Sequence, residues 1–169
     1  LHFPLDEGHL IGHLRMSGDM RMERRIDPQG NPIPKEKYDQ VIINFGSSWR
    51  LVFRNVRKFG RMLYTDDLAS VFGDLGPEPL DENFSAEQLY EMLQTHSRQI
   101  KPLLMDQHFL AGLGNIYTDE SLFKARIHPL RRSDSLSKIE ARVLHKAIRQ
   151  TLTQGIVNFG ASLDWVYRG

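Results

Sequence analysis

Around Leu75-Gly76-Pro77-Glu78-Pro79-Leu80 the hydrophobic pattern of this chain changes period. Before that stretch apolar residues alternate with polar ones, the signature of half-buried strands, and after it they recur at helical spacing. Strands and helices must therefore segregate along the chain, giving an α+β fold with a β unit first and an all-helical unit second. In the first part, Gly8–Leu14 leads into a turn at Arg15-Met16-Ser17-Gly18, and Asp19–Glu23 then alternates. Asp27–Lys37, with three prolines and a glycine, reads as a loop. Val41, Ile43 and Phe45 share one face, Gly46-Ser47-Ser48 turns the chain, and Trp49–Arg54 alternates again through Leu51 and Phe53, which predicts an antiparallel hairpin. Asn55–Gly60 interrupts this pattern before Met62-Leu63-Tyr64 resumes it. Residues 75–80 have the composition of a linker, so the boundary is expected at residues 72 and 73, with units 1–72 and 73–169.

Helix starts are marked in the second part. Ser85 with Gln88, and Ser137 with Glu140, have capping-box spacing. The first precedes Leu89, Met92 and Leu93; the second precedes Ile139, Val143, Ala147, Ile148 and Leu152, with Gly155 as the expected stop. A further helix from Asn115 to about Ala125 presents Ile116, Glu120 and Phe123 on one side and ends before Ile127-His128-Pro129, where proline disfavours helix.

Composition excludes several functions. The 169 residues, 40% hydrophobic and 25% charged, suit a soluble globular protein of one domain or two small ones. No apolar run approaches a membrane span and no signal peptide precedes the first polar segment, so a cytosolic, non-membrane protein is expected. With no cysteine there is no disulfide and no thiolate-bound metal in these residues, and the seven histidines lack paired ligand spacing, so no metal is expected. A net charge of +1 does not announce a nucleic-acid binder; local clusters say more. The start at Leu1 and the end at Asp164–Gly169 make the chain read as an excerpt from a longer protein.

The densest cluster is Ile100–Glu120. Lys101-Pro102 opens an apolar run, and a second run enters Gly112-Leu113-Gly114, after which Asn115 starts a helix. Glycines let the backbone turn tightly and approach a ligand. The helix that follows aims unpaired N–H groups and its positive dipole end forward, which suits a phosphate. Asn115 at the cap can add a donor, Gly114 leaves room, and Lys101 supplies charge, with His96 and Arg98 just upstream. The same spacing also describes a plain helix-to-helix turn capped by asparagine.

Two loops in the β unit point to the same class of partner. His13-Leu14-Arg15-Met16-Ser17-Gly18 sets a methionine at a turn; it either fills a core gap or, exposed, wedges between bases. Asn55–Gly60 sets Arg57, Lys58 and Phe59 before a glycine. That loop is either solvated with one core aromatic, or a hairpin tip that enters a duplex with Phe59 stacked in the gap and Arg57 on an unpaired base.

HLRMSG, NVRKFG, LGPEPL, IKPLLMDQ, GLGNIYTDE and IHP resemble, in order and spacing, motifs of the formamidopyrimidine-DNA glycosylase family, the bacterial base-excision enzymes that remove oxidised purines such as 8-oxoguanine. The resemblance covers essentially the whole chain. It implies a partial antiparallel β-sandwich followed by a helix-two-turns-helix domain, and double-stranded DNA with an oxidised base or abasic site as partner. It implies that Met16, Arg57 and Phe59 fill the hole left by the flipped nucleotide, with Arg57 on the orphaned cytosine, and that Lys101 and Asn115 bind flanking phosphates. Tyr38 stands where the family often has a histidine DNA contact, His96 or Arg98 takes a usually basic one, and Glu120 matches a glutamate near the site, with His13 and Gly114 in supporting places.

The departures are equally informative. The family's nucleophile is an N-terminal proline that attacks the sugar's anomeric carbon to give a Schiff base, followed by a glutamate acid; both are expected upstream of Leu1, as is a lysine that assists strand cleavage, so no catalytic residue falls in this chain. The four-cysteine finger that carries the family's one structural zinc is likewise expected outside it. The parent is expected to be a bifunctional glycosylase and abasic-site lyase, monomeric, in the bacterial cytoplasm with the chromosome. Alternatives are a non-catalytic damaged-DNA-binding module and an endonuclease VIII-like enzyme for pyrimidine lesions. A cut β unit should leave strand edges unpaired, so self-association of this piece is expected.

Overall fold

A computed structural model describes residues 1–15 and 17–158. They form two compact units, Leu1–Val71 and Phe72 onward. The first holds six strands: β1 (His2–Pro4), β2 (His9–His13), β3 (Gly18–Arg24), β4 (Asp39–Phe45), β5 (Trp49–Asn55) and β6 (Arg61–Thr65). They make two antiparallel three-stranded sheets, ordered β1-β2-β6 and β3-β5-β4. The predicted hairpin is β4-β5, with Phe45 opposite Trp49 across the Gly46–Ser48 turn. Glycines let the two sheets approach: a Cβ on Gly12 would overlap Met20, and one on Gly60 would come within 2.5 Å of Phe53.

The burial of β3-β5-β4 departs from what its alternation suggests. Its apolar face is covered at Leu51 and Phe53, yet Met22, Phe45 and Trp49 are 53%, 46% and 41% exposed. The other face is polar and lies under the Asp27–Lys37 loop, with Arg50 and Asp39 buried. Arg50 donates to Glu23 at 2.7 Å and to the carbonyl of Ile33 at 2.8 Å, while Arg21 bridges Glu23, Glu36 and Asp39. A buried charge needs such partners, and the loop carbonyls supply them.

A short helix α1 (Ala69–Phe72) follows β6. The helical unit contains α2 (Ala86–Gln94), α3 (Ile100–Leu104), α4 (Asn115–Ala125), a 3-10 turn at Ser133–Ser135, and α5 (Lys138–Val157). Both predicted capping boxes form, Ser85 with Gln88 and Ser137 with Glu140. The core is aliphatic, built on Leu89, Leu93, Ile100, Leu103, Leu110, Leu113, Leu144 and Ile148. Among the described residues no helix is long and apolar enough to cross a membrane.

Three expectations change. Residues 75–80 are no slack linker: Gly76 N–H donates to Gln107 O at 2.9 Å, Ala111 N–H to Pro77 O at 3.0 Å, and Arg149 holds Pro79 O, so this segment is part of the helical unit. Helix α5 does not stop at Gly155 but runs to Val157; Gly155 is not left-handed and serves instead as a close contact, packing against the Tyr117 ring where a side chain would overlap it. Its buried stripe is Ala141, Leu144, Ala147, Ile148 and Thr151, leaving Ile139 and Val143 at 75% and 45% exposure.

Candidate nucleic-acid interface

Each unit carries its own cluster of candidate residues. In the β unit the two loops singled out from sequence are neighbours, because β3 and β5 pair from Gly18 opposite Asn55. The β2-β3 connection closes with Gly18 N–H on Leu14 O at 2.9 Å. Arg15 takes a left-handed conformation (φ 55), and its N–H donates to His13 Nδ1 at 3.1 Å. Partial burial and the Arg15 charge hold the His13 imidazole below its ordinary pKa, which suits a ring nitrogen that accepts. In the β5-β6 connection Lys58 is also left-handed (φ 57). The two turns are joined where Arg57 N–H donates to Ser17 Oγ at 3.4 Å.

Strained turns of this kind cluster at functional sites. Only three non-glycine residues among those described have positive φ, and two of them flank the candidates here. Phe59, between Lys58 and Gly60, is 62% exposed, and Arg57 is exposed beside it. A phenylalanine that open is not filling a core. Tyr38 is half-buried, its ring beside Lys37 Nζ at 5.3 Å and the Arg54 guanidinium at 5.7 Å, and its carbonyl accepts from Asn55 N–H at 2.9 Å. Met16, the third expected gap-filling residue, lies outside the described residues.

In the helical unit, Gly112 is left-handed (φ 79) and Gly114, not Asn115, is the N-cap of α4. Asn115 is the first helical residue and its side chain makes no capping bond, so the expected cap role is taken over by extended backbone at Gly114. The helical ladder starts with Thr118 N–H on Gly114 O, which leaves the N–H groups of residues 115–117 at the open end of the helix. Gln107 braces this turn: its Oε1 accepts from Gly112 N–H at 2.8 Å and its Nε2 donates to Leu113 O at 3.0 Å.

Lys101, in α3, reaches α4 directly, with Nζ 2.8 Å from the Asp119 carboxylate one turn beyond Asn115. The ion pair thus brings Lys101 to the α4 N-terminal turn. Arg98 is not on that turn; it pairs with Asp106 at 2.8 Å and, with the His108 main-chain N–H, holds that carboxyl below its ordinary pKa. His96 turns inward, with Nδ1 2.9 Å from Met92 O and its ring edge-on to Phe109. Glu120 is exposed on α4. Gln107, Ser17 and Asn55 were missed in the sequence, since a polar side chain that binds main chain leaves no periodic signal, and Asp119 was missed because its partner Lys101 lies 18 positions away.

What this geometry offers is a protruding aromatic with an arginine on one unit, and a helix N-terminus with a lysine on the other. A family model for the formamidopyrimidine-DNA glycosylase N-terminal domain matches residues 1–62, and one for the formamidopyrimidine-DNA glycosylase H2TH domain matches residues 75–164. The formamidopyrimidine-DNA glycosylase of Roseiflexus sp. is 41% identical over 162 residues, covering 94% of this chain and 57% of the relative. That of Brevibacillus brevis is 40% identical over 173 residues, covering 100% and 60%. Among solved structures, the Lactococcus lactis Fpg in complex with an abasic site containing DNA superposes with a TM-score of 0.81 at 36% identity, over 94% of this chain and 57% of that one. MutM in complex with carbocyclic 8-oxo-G containing DNA gives 0.81 at 35% identity, over 97% and 60%. The chain therefore spans less than two thirds of the length of these relatives. Across both its units, the chain belongs to the formamidopyrimidine-DNA glycosylase family.

Proposed function

We propose that this chain is the DNA-gripping middle of a base-excision repair enzyme, a bifunctional DNA glycosylase and abasic-site lyase that removes oxidised purines from double-stranded DNA. Residues 1–72 act as the C-terminal part of its β-sandwich domain and 73–169 as its helix-two-turns-helix DNA-binding domain. The parent works as a monomer in the bacterial cytoplasm. An enzyme acting on a base within a duplex must first turn the nucleotide out of the stack, at a cost of roughly a few kcal/mol. Groups that fill the hole and pin the backbone offset that cost. Phe59 and Arg57, with Met16, fill the hole, and Arg57 donates to the edge of the orphaned cytosine. Lys101 and the open N–H groups at the start of α4 hold flanking phosphates, with Asn115 beside them. Tyr38, Arg98 and His96 serve as further DNA contacts, and His13, Gly114 and Glu120 support the two clusters.

The covalent steps belong to residues outside this sequence, an N-terminal proline and the glutamate after it. Zinc has no place in this chain's part of the reading: 169 residues without a cysteine do not fit a four-thiolate site.

The observation that supports this reading most strongly is the 62% exposure of Phe59 beside Arg57 on a left-handed turn fastened to the Ser17 loop. Its test is Arg57→Ala in the complete protein, assayed for 8-oxoguanine excision opposite cytosine and opposite adenine. Preference for cytosine should fall about tenfold, the scale of one base-edge contact. An unchanged preference contradicts the reading, and excision confined to oxidised pyrimidines would move the protein to the endonuclease VIII-like class.

A further inference from the structure

We infer that Asn55 is the positioning residue that sets the two gap-filling loops relative to each other; the inference rests on the gap-filling reading above. Asn55 ends β5 and is 1% exposed, although asparagine is seldom buried so completely. Three segments that carry candidate DNA residues meet on it. Its Nδ2 donates to Leu14 O at 3.4 Å, in the loop that leads to Met16. Its main-chain N–H donates to Tyr38 O at 2.9 Å. Its own chain continues into Val56–Gly60, where Arg57 N–H meets Ser17 Oγ.

Gly60 closes the other side. A Cβ at that position would overlap Asn55 Nδ2 and come 2.5 Å from Phe53 Cζ and 3.0 Å from His13 O, so the glycine that ends the wedge loop is what admits the amide. Asn55 Oδ1 is buried with no hydrogen-bond partner among the described residues. An orphaned buried acceptor is a cost that an aliphatic residue would avoid. It is accounted for when Oδ1 is the acceptor held for a loop N–H as Arg57 and Phe59 enter the duplex. The left-handed Arg15 and Lys58 then mark two turns under tension on either side of one amide.

The experiment compares the complete wild-type protein with Asn55→Ala and Gly60→Ala, two routes to the same loss. One removes the amide and the other displaces it. Measured for each are the melting temperature, the ratio of 8-oxoguanine excision opposite cytosine to that opposite adenine, and the salt dependence of binding to an abasic-analogue duplex. The ratio should fall about tenfold in both variants, approaching that of Arg57→Ala, while the slope of log affinity against log salt stays at its wild-type value because the phosphate contacts are untouched. Wild-type ratios in both folded variants overturn the inference, as does a ratio that falls only together with the salt slope. If Asn55→Ala fails to fold, Gly60→Ala alone decides. A wild-type protein with no preference for cytosine would instead defeat the gap-filling reading, and this inference with it.

Discussion

At residue scale, Phe59 and Asn55 show what a side chain announces and what it hides. An aromatic behind two cations and before glycine, in a break between alternating strands, stands out in the sequence, and its 62% exposure matches that reading. Asn55, one residue before the same loop, looks like any turn-forming asparagine; its burial follows from the Leu14 and Gly60 main chains, which lie 41 and five positions away in sequence. Asp119 is a similar case, because the charge pattern around it does not reveal that it faces Lys101 at 2.8 Å. In the proposed function that carboxylate competes with phosphate for the Lys101 ammonium. Asp119→Asn should therefore tighten duplex binding about two- to fivefold at low salt, the range of an exposed ion pair, with the gain fading as salt rises. Equal or weaker binding in a titration across salt concentrations would show that Asp119 does not restrain Lys101.

At the scale of elements, caps and periods were legible and exact boundaries were not. Both capping boxes are local chemistry, four residues that need no tertiary information. The glycine at 155 serves a close contact with Tyr117 rather than the expected stop, and the cap expected at Asn115 moved to Gly114, whose backbone is extended. Helix α5 carries a pH-dependent contribution at its start. Arg131, then the Ser137 main-chain N–H, pull the Glu140 carboxyl from its ordinary 4.5 down to about 2. A carboxyl depressed in the fold stabilises it above the unfolded value, and that stability drains as pH falls from about 4.5 toward 2. Glu140→Gln keeps an acceptor for the Ser137 N–H, as Gln88 does for Ser85, but removes the charge paired with Arg131, so it should lower the melting temperature at neutral pH by an amount on the order of 0.5–1 kcal/mol. The deficit against wild type should shrink as thermal melts are taken down to pH 2. A deficit constant with pH would mean that the ionised carboxylate is not what stabilises the cap.

At the scale of the whole molecule, the change of period at residues 75–80 foretold the segregation of strands from helices, but not which surfaces the β unit leaves open. Alternation suggested an apolar face turned inward; instead Met22, Phe45 and Trp49 stay exposed while Arg50 and Asp39 are covered by the Asp27–Lys37 loop. Coverage by a loop is a tertiary event without a local sequence mark. Among the described residues, both sheets are three strands wide and end on β1, β6, β3 and β4. Open edges beside exposed aromatics favour pairing between chains. The 169-residue chain by itself should then show concentration-dependent association in solution scattering, and a monodisperse monomer would contradict that.

The central claim is that the Arg57–Phe59 loop enters the gap opened in a damaged duplex. It is tested most directly by the fluorescence of 2-aminopurine placed opposite an abasic analogue, with the complete protein added as wild type or as Phe59→Ala. Wild type should raise the signal by unstacking that base, and Phe59→Ala should leave it near the free-duplex level while still binding the DNA. An equal rise with both proteins at saturation would contradict the claim.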